Sequence, residues 1–326
     1  MAGAVPVTHH PRWKQHIPRD TGASYDFENV RDHYLQHLFG IAAVPLRTTD
    51  MRRDWQLSRV ASGEMMTQAY SEWRSGHSHN QGALVWFFKD LWTAAGWGIV
   101  DSTGNPKAAY YSLKRLWRSR QITLTDEGLK GIHLHLINES METFAGFVEV
   151  TLLKKPSTVI VRQEVPVQLS GRSRQMLHPE EIVGGFYDVS YAYRFRPPHH
   201  DVVVATLLDT DRRVVSEAFH FFRRCDPAMV TTATLEASAE MTSETTCEVS
   251  LSCDRFLHAV RLDAKGIVPD DNYFHLVPQR KKVVTLTAIG KPQRDFRVDV
   301  EALNVDSSQT IALRQAGAFQ SVEAAL

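Results

Sequence analysis

The sequence predicts an α/β segment followed by two antiparallel β-sandwiches, and three observations carry that reading. The run Gly82-Ala-Leu-Val-Trp-Phe-Phe-Lys-Asp-Leu-Trp92 is apolar from Ala83 to Phe88 and opens on small residues, which suits a strand buried on both faces of a parallel sheet. Gly96-Trp-Gly-Ile-Val-Asp101 and Pro106-Lys-Ala-Ala-Tyr-Tyr-Ser-Leu-Lys-Arg115 follow it as a loop and a helix, so the three pieces read as one strand and helix of a (β/α)8 barrel. Ahead of this unit the apolar spacing is near four; beyond Arg120 it changes to two.

Taken in order, residues 1–25 are rich in Pro, His, Arg and Gly, show no period, and read as a surface loop. Asp26 stands as an N-cap before a helix in which Phe27, Val30, Tyr34 and Leu38 share a face, and Gly40 stops it. A longer helix is expected from about Asp50 to Arg74, where Leu57, Ala61, Met65, Ala69 and Trp73 recur every four residues. Met65 and Met66 read there as core filler. In the strand that follows, Trp86, Phe88 and Asp90 share one parity and would face the same side. Strand ends carry the active site of a barrel, which singles out Trp86, Asp90 and Trp92.

After Arg120, Ile132, Leu134 and Leu136 alternate with His133 and His135, and Val148, Val150 and Leu152 alternate with Phe147, Glu149 and Thr151. Further strands are expected at Val165–Leu169, Val189–Phe195 and Val202–Leu208, between polar turns such as Asn138-Glu-Ser and Asp209-Thr-Asp. The pattern restarts after Arg223-Arg-Cys-Asp-Pro227. Val249 and Leu251, Val284–Ala288, and Phe296, Val298, Val300 and Ala302 outline a second sandwich, and residues after Arg314 read as a frayed end. The expected domains are 1–118, 119–225 and 226–326.

At 326 residues and 43% hydrophobic content the chain can bury several cores. Lys+Arg and Asp+Glu are both 37, so no bulk charge favours nucleic acid or an anionic membrane. The short clusters Arg223-Arg224 and Arg280-Lys281-Lys282 read as solvated surface. No window approaches the roughly 20 apolar residues of a membrane span, and Met1 to Pro18 lacks the apolar core of a signal peptide, so a soluble cytoplasmic protein is expected. Cys247 and Cys253 would lie about 20 Å apart on an extended strand, too far for a disulfide. Pairing of either with Cys225 stays open, and the alternative is buried or free thiols.

The segment from Gly82 to Arg115 resembles the last strand and helix of the catalytic barrel in glycoside hydrolase family 2, and within it the β-mannosidase branch. Lys89 stands where that family often has Asn, and Thr93 where it often has Pro. A second match is Asp270-Asp-Asn-Tyr-Phe-His-Leu-Val-Pro278, which is similar to a segment of the C-terminal sandwich of β-mannosidases, with His275 in place of an acidic residue. The resemblance implies the end of a (β/α)8 TIM barrel followed by two immunoglobulin-like sandwiches. It also implies an enzyme that, when complete, hydrolyses terminal β-D-mannosides with retention and without a cofactor.

Retaining glycosidases use two carboxyl groups about 5–5.5 Å apart. In this family both are glutamates, placed after the fourth and seventh barrel strands, so the resemblance implies that both lie upstream and that this chain has no catalytic residue and is inactive alone. Glu28, Glu64 and Glu72 read as surface carboxylates of the helices. Asp90 reads either as a sugar-binding or acid-orienting group, or as a loop cap or ion pair with Lys89 or Arg115. Trp86 reads as a platform for the C–H face of a sugar or as a plain core indole; Trp92 and Trp97 either line the pocket rim or pack under the loop. His133 and His135 have a usable ligand geometry on one strand face, but no third ligand is evident near them, nor near His9-His10, His77/His79 or His199-His200, so no metal is assigned. The expected partners are a carbohydrate and the upstream barrel portion. A non-catalytic carbohydrate-binding module and one subunit of a split glycosidase are the rival readings.

Overall fold

The computed structural model describes residues 21–80, 82–91, 96–185, 187–194, 197–221, 232–289, 295–306, 308–314 and 322–325. Asp26 caps helix α1 (Phe27–Phe39) through a reciprocal pair: Asn29 N–H donates to Asp26 Oδ1 at 3.0 Å and Asp26 N–H to Asn29 Oδ1 at 3.1 Å. Gly40 closes the helix at φ 68°, a left-handed conformation that glycine adopts without cost from a Cβ. The buried stripe is Leu35, Leu38 and Phe39, while Val30 and Tyr34 are half-buried.

A short helix α2 (Ala43–Thr49) leads into α3 (Met51–Arg74), whose N-terminus is capped by Asp50 accepting Arg53 N–H at 2.9 Å. Leu57, Val60 and Ala61 pack on Leu35, Leu38 and Phe39, and the same cluster takes in Ala259 and Leu303 from the far end of the chain. Further along α3, Tyr70 packs with Ala109, Leu113 and Leu116 of α4 (Ala108–Leu116). Trp73, last of the four-residue series, is exposed.

The described part of the Gly82–Trp92 run does not form a laddered strand. A single parallel bridge joins Lys89 to Val100, with Val100 N–H donating to Phe88 O at 3.0 Å and Asp90 N–H to Val100 O at 3.0 Å. No other parallel pairing occurs among the described residues.

Beyond Ser119 every ladder among the described residues is antiparallel. One sheet takes β1 (Arg120–Asp126), β2 (Ile132–Asn138) and β5 (Ser173–Leu177) in that order; its partner runs β4 (Thr158–Leu169), β3 (Phe144–Lys154), β6 (Val202–Leu208), β7 (Val214–His220). Ile122, Ile132, Leu134 and Leu136 of the first sheet share a core with Val148, Val150, Leu152, Val203 and Ala205 of the second, the packing of a sandwich. Pro166 is tolerated because β4 is an edge strand. The strand expected at Val189–Phe195 is absent from the described part of that stretch. Asp188 instead gathers the N–H groups of Ala192 at 2.8 Å and Tyr193 at 3.0 Å, which curls the backbone, and only Val189 reaches the core. Phe195 lies outside the described residues.

The C-terminal sheets run β12 (Phe274–Leu276), β10 (Leu257–Asp263), β14 (Asp295–Glu301), β15 (Gln309–Arg314), and β11 (Ile267–Pro269), β13 (Lys282–Ala288), β9 (Thr246–Cys253), β8 (Thr234–Met241), β16 (Val322–Ala325). Leu235, Val249, Leu251, Val260, Leu286 and Val298 fill the space between them. Cys247 and Cys253 are buried free thiols on β9, and burial pushes them up to about 11 and about 12 respectively. Cys225 lies outside the described residues. The two sandwiches meet on Leu153, Val202, Val204, Phe256 and Val277.

Candidate functional site

The residues singled out at the end of the Gly82–Trp92 run occupy different environments. Trp86 is 78% exposed and continues an apolar edge made by Leu84, Phe88 and Leu91. Val85, of opposite parity, packs inward against the Tyr70–Leu113 cluster. Asp90 is 6% exposed, so it does not share the face of Trp86 and Phe88. Its Oδ1 accepts Gly98 N–H at 2.8 Å and its Oδ2 pairs with Lys107 Nζ, neither Lys89 nor Arg115. A Cβ on Gly98 would come within 2.5 Å of Asp90 N and Oδ1, and one on Gly96 within 2.5 Å of Oδ1. The glycines of Gly96-Trp-Gly98 therefore let the loop close over the carboxylate. Trp97 packs on Phe27 with ring centroids 4.4 Å apart. Trp92 lies outside the described residues.

Two of the helix glutamates are not surface groups. Glu28 is buried and paired with Arg47 at 2.5 Å and Arg31 at 3.3 Å, because α2 brings Arg47 across α1. Glu64 faces the C-terminal sandwich, with Oε1 at 3.6 Å from both His258 Nε2 and His275 Nε2. Ala259 N–H donates to His275 Nδ1 at 3.1 Å, so that ring carries its proton on Nε2, toward the glutamate. Burial holds His275 down at about 3 and His258 well below its ordinary value. Glu72 is exposed, as its place on α3 suggested.

The Asp270–Pro278 segment is a clasp. Asp271 pairs with Arg115 of α4 and, at 2.8 Å, with Lys282; Arg115 also donates to the carbonyls of Asn272 at 2.8 Å and Tyr273 at 3.3 Å. Asn272 spans Leu262, accepting its N–H at 2.8 Å and donating to its carbonyl at 3.0 Å. Arg280 likewise joins the sandwiches, reaching Glu149 and, at 2.8 Å, Glu217. Arg280 thus forms interdomain ion pairs and Lys282 an ion pair within the C-terminal domain, rather than solvated surface; Arg223-Arg224 lies outside the described residues. Between α3, α4 and the sandwiches opens a cavity of about 1280 Å³, walled by Glu64, Ser112, Arg115, Glu217 and His275 among others, with neither Trp86 nor Asp90 in its wall.

Histidines scattered in sequence also meet. His77, on the turn after α3, places Nε2 3.0 Å from Nδ1 of His133 on β2, with the Glu127 carboxylate beside them. Sequence separation hid this group, since only a fold that lays the α3 turn against β2 assembles it.

The described residues thus form a helical segment clasped to tandem β-sandwiches. The mannosidase-type Ig-fold domain family (Ig_mannosidase) matches residues 230–303. β-Mannosidase B of Emericella nidulans is 32% identical over 106 residues, covering 31% of this chain and 13% of the relative; that of Thermothelomyces thermophilus is 36% identical over 83 residues, 24% of this chain and 9% of the relative. In structure, the β-D-mannosidase of Dictyoglomus thermophilum superposes with a TM-score of 0.70 at 18% identity over 85% of this chain and 32% of its own. The exo-chitosanase of Amycolatopsis orientalis gives 0.65 at 13% identity over 93% and 39%. The chain thus spans about a third of the solved structures it matches. The C-terminal sandwich thus carries a mannosidase-type Ig-fold domain, and over parts of its length the chain is similar to β-mannosidases.

Proposed function

We propose that this chain is the C-terminal portion of a retaining glycosidase that, when complete, hydrolyses terminal β-D-mannosides. In this reading residues 1–118 are the end of the TIM barrel, 119–225 and 226–326 are immunoglobulin-like sandwiches, and both catalytic glutamates come from the upstream barrel portion. The observation that carries it is an exposed apolar edge on the segment this reading takes as the last barrel strand: Leu84 is 97% and Trp86 78% exposed, and among the described residues the segment makes one parallel bridge. Such edges take partners, and the remaining barrel strands are the partner that would cover this one.

Within that site Trp86 serves as the sugar platform. Asp90, held by Gly98 and Lys107, shapes the rim, and Trp92 is assigned to substrate binding with it. Co-expression with a matching amino-terminal barrel fragment should give a soluble complex that cleaves an aryl β-mannoside. Trp86→Ala should lower kcat/KM by about tenfold or more, some 1.4 kcal/mol of transition-state stabilisation, while Glu72→Ala should leave it unchanged. A complex in which Trp86→Ala equals wild type would remove the sugar platform from the proposal.

A further inference from the structure

We propose that His77, Glu127 and His133 form a divalent transition-metal site, of the kind that takes Zn²⁺, joining the end of α3 to the first sandwich. The three donors come from three separate elements: the turn after α3, the β1–β2 turn and strand β2. One donor atom from each lies within 4.8 Å of the other two. His77 Nε2 and His133 Nδ1 are 3.0 Å apart. Ligands of a tetrahedral Zn²⁺ at roughly 2.0–2.1 Å lie about 3.3 Å from one another, so a small rotation of the exposed His77 seats an ion between them.

The carboxylate is oriented from behind. Gly76 N–H donates to His135 Nδ1 at 3.4 Å, which leaves the proton of that ring on Nε2. His135 Nε2 then donates to Thr125 Oγ1 at 2.9 Å, and the Thr125 hydroxyl donates to Glu127 Oε1 at 2.8 Å. One glutamate oxygen is thereby engaged and the other left for an ion, the arrangement by which outer hydrogen bonds aim a metal-binding carboxylate. The turn that carries Glu127 is itself fixed, with Glu127 N–H donating to Gly131 O at 2.9 Å. His133 is buried and packed edge-on by His178, with ring centroids 4.8 Å apart, so its ring is held in place on β2. The exposed side of His77 leaves the fourth position to water.

The other three-residue group of this kind among the described residues, Glu64 with His258 and His275, lacks this property. There the backbone bond to His275 Nδ1 puts a proton on the nitrogen that would have to bind. The two groups therefore differ in chemistry although both contain two histidines and a glutamate. The proposed site is independent of the glycosidase reading.

The test uses the full chain, stripped with a chelator and titrated with Co²⁺ alone, read by its d–d absorption and by displacement with Zn²⁺. One equivalent should bind. His77→Ala, on an exposed turn, should retain the wild-type far-ultraviolet spectrum and lose binding, and Thr125→Val should weaken it about 10–100-fold by releasing Glu127. Absence of d–d bands in the wild type, or wild-type affinity in His77→Ala, would overturn the proposal.

Discussion

Replacing Asp271 by Asn removes one charge from the clasp without changing its shape. Asp271 is 7% exposed, and Arg115 and Lys282 hold its carboxyl down from the usual 3.8 to about 2. A shift of that size corresponds to about 2 kcal/mol of stability. Severing a buried pair often costs about 3–5 kcal/mol, but Arg115 and Lys282 keep a quarter of their side chains in solvent and Arg115 retains two carbonyl acceptors, so about 2–3 kcal/mol is expected. The folded carboxyl is depressed, so its contribution is complete above about pH 4 and fades as pH falls from 3.8 towards 2. Urea unfolding gives the measurement, with two probes that separate the parts. All seven tryptophans lie within the first 117 residues, so their fluorescence reports the helical segment, while far-ultraviolet dichroism is weighted to the sandwiches. The variant should unfold earlier by both probes at pH 7, with about half of the difference remaining at pH 3. A difference below about 0.5 kcal/mol at pH 7, or one that is the same at pH 3, would refute the clasp as described.

Gly98→Ala forces a Cβ to 2.5 Å from the Asp90 backbone and should destabilise the helical segment by about 1–3 kcal/mol, read as an earlier fluorescence transition in urea; an unshifted transition would mean that the loop does not close over Asp90. Cys247 and Cys253 should resist iodoacetamide at pH 8 in the native chain and react fully in urea, as followed by peptide mapping, because burial raises both thiols; rapid native labelling of either would contradict a closed C-terminal core.

Local chemistry made much of the fold legible. Asp26, Gly40 and Asp50 act on their own neighbours, so the ends of α1 and α3 could be read directly; Ile132, Val148, Val249 and Val284 declared their strands by alternation, and Val202 began one as an apolar run. Helix α2 went unseen because seven residues without a side-chain cap show no period. Val189–Phe195 misled because its apolar spacing suits a strand, whereas Asp188 captures the N–H groups a ladder would use.

The site was less legible, and for one reason. Asp90 was visible as a residue of interest, but its partner Lys107 is fixed by the loop between them. Arg280 and Lys282 read as solvent charges because Glu149, Glu217 and Asp271 come from other strands and turns. Glu28 and Glu64 changed from surface to interior groups in the same way, and His77 meets His133 only after α3 has been laid against the first sandwich.

The measurement that bears most directly on the glycosidase reading is hydrolysis of an aryl β-mannoside by the purified chain, alone and after joining to a matching amino-terminal barrel fragment. Positioned acid–base groups contribute about 10²–10⁴-fold each, so the chain alone should not exceed a heat-killed control, and the joined protein should turn over. Turnover by the chain alone that Asp90→Asn abolishes would contradict the account and make Asp90 catalytic.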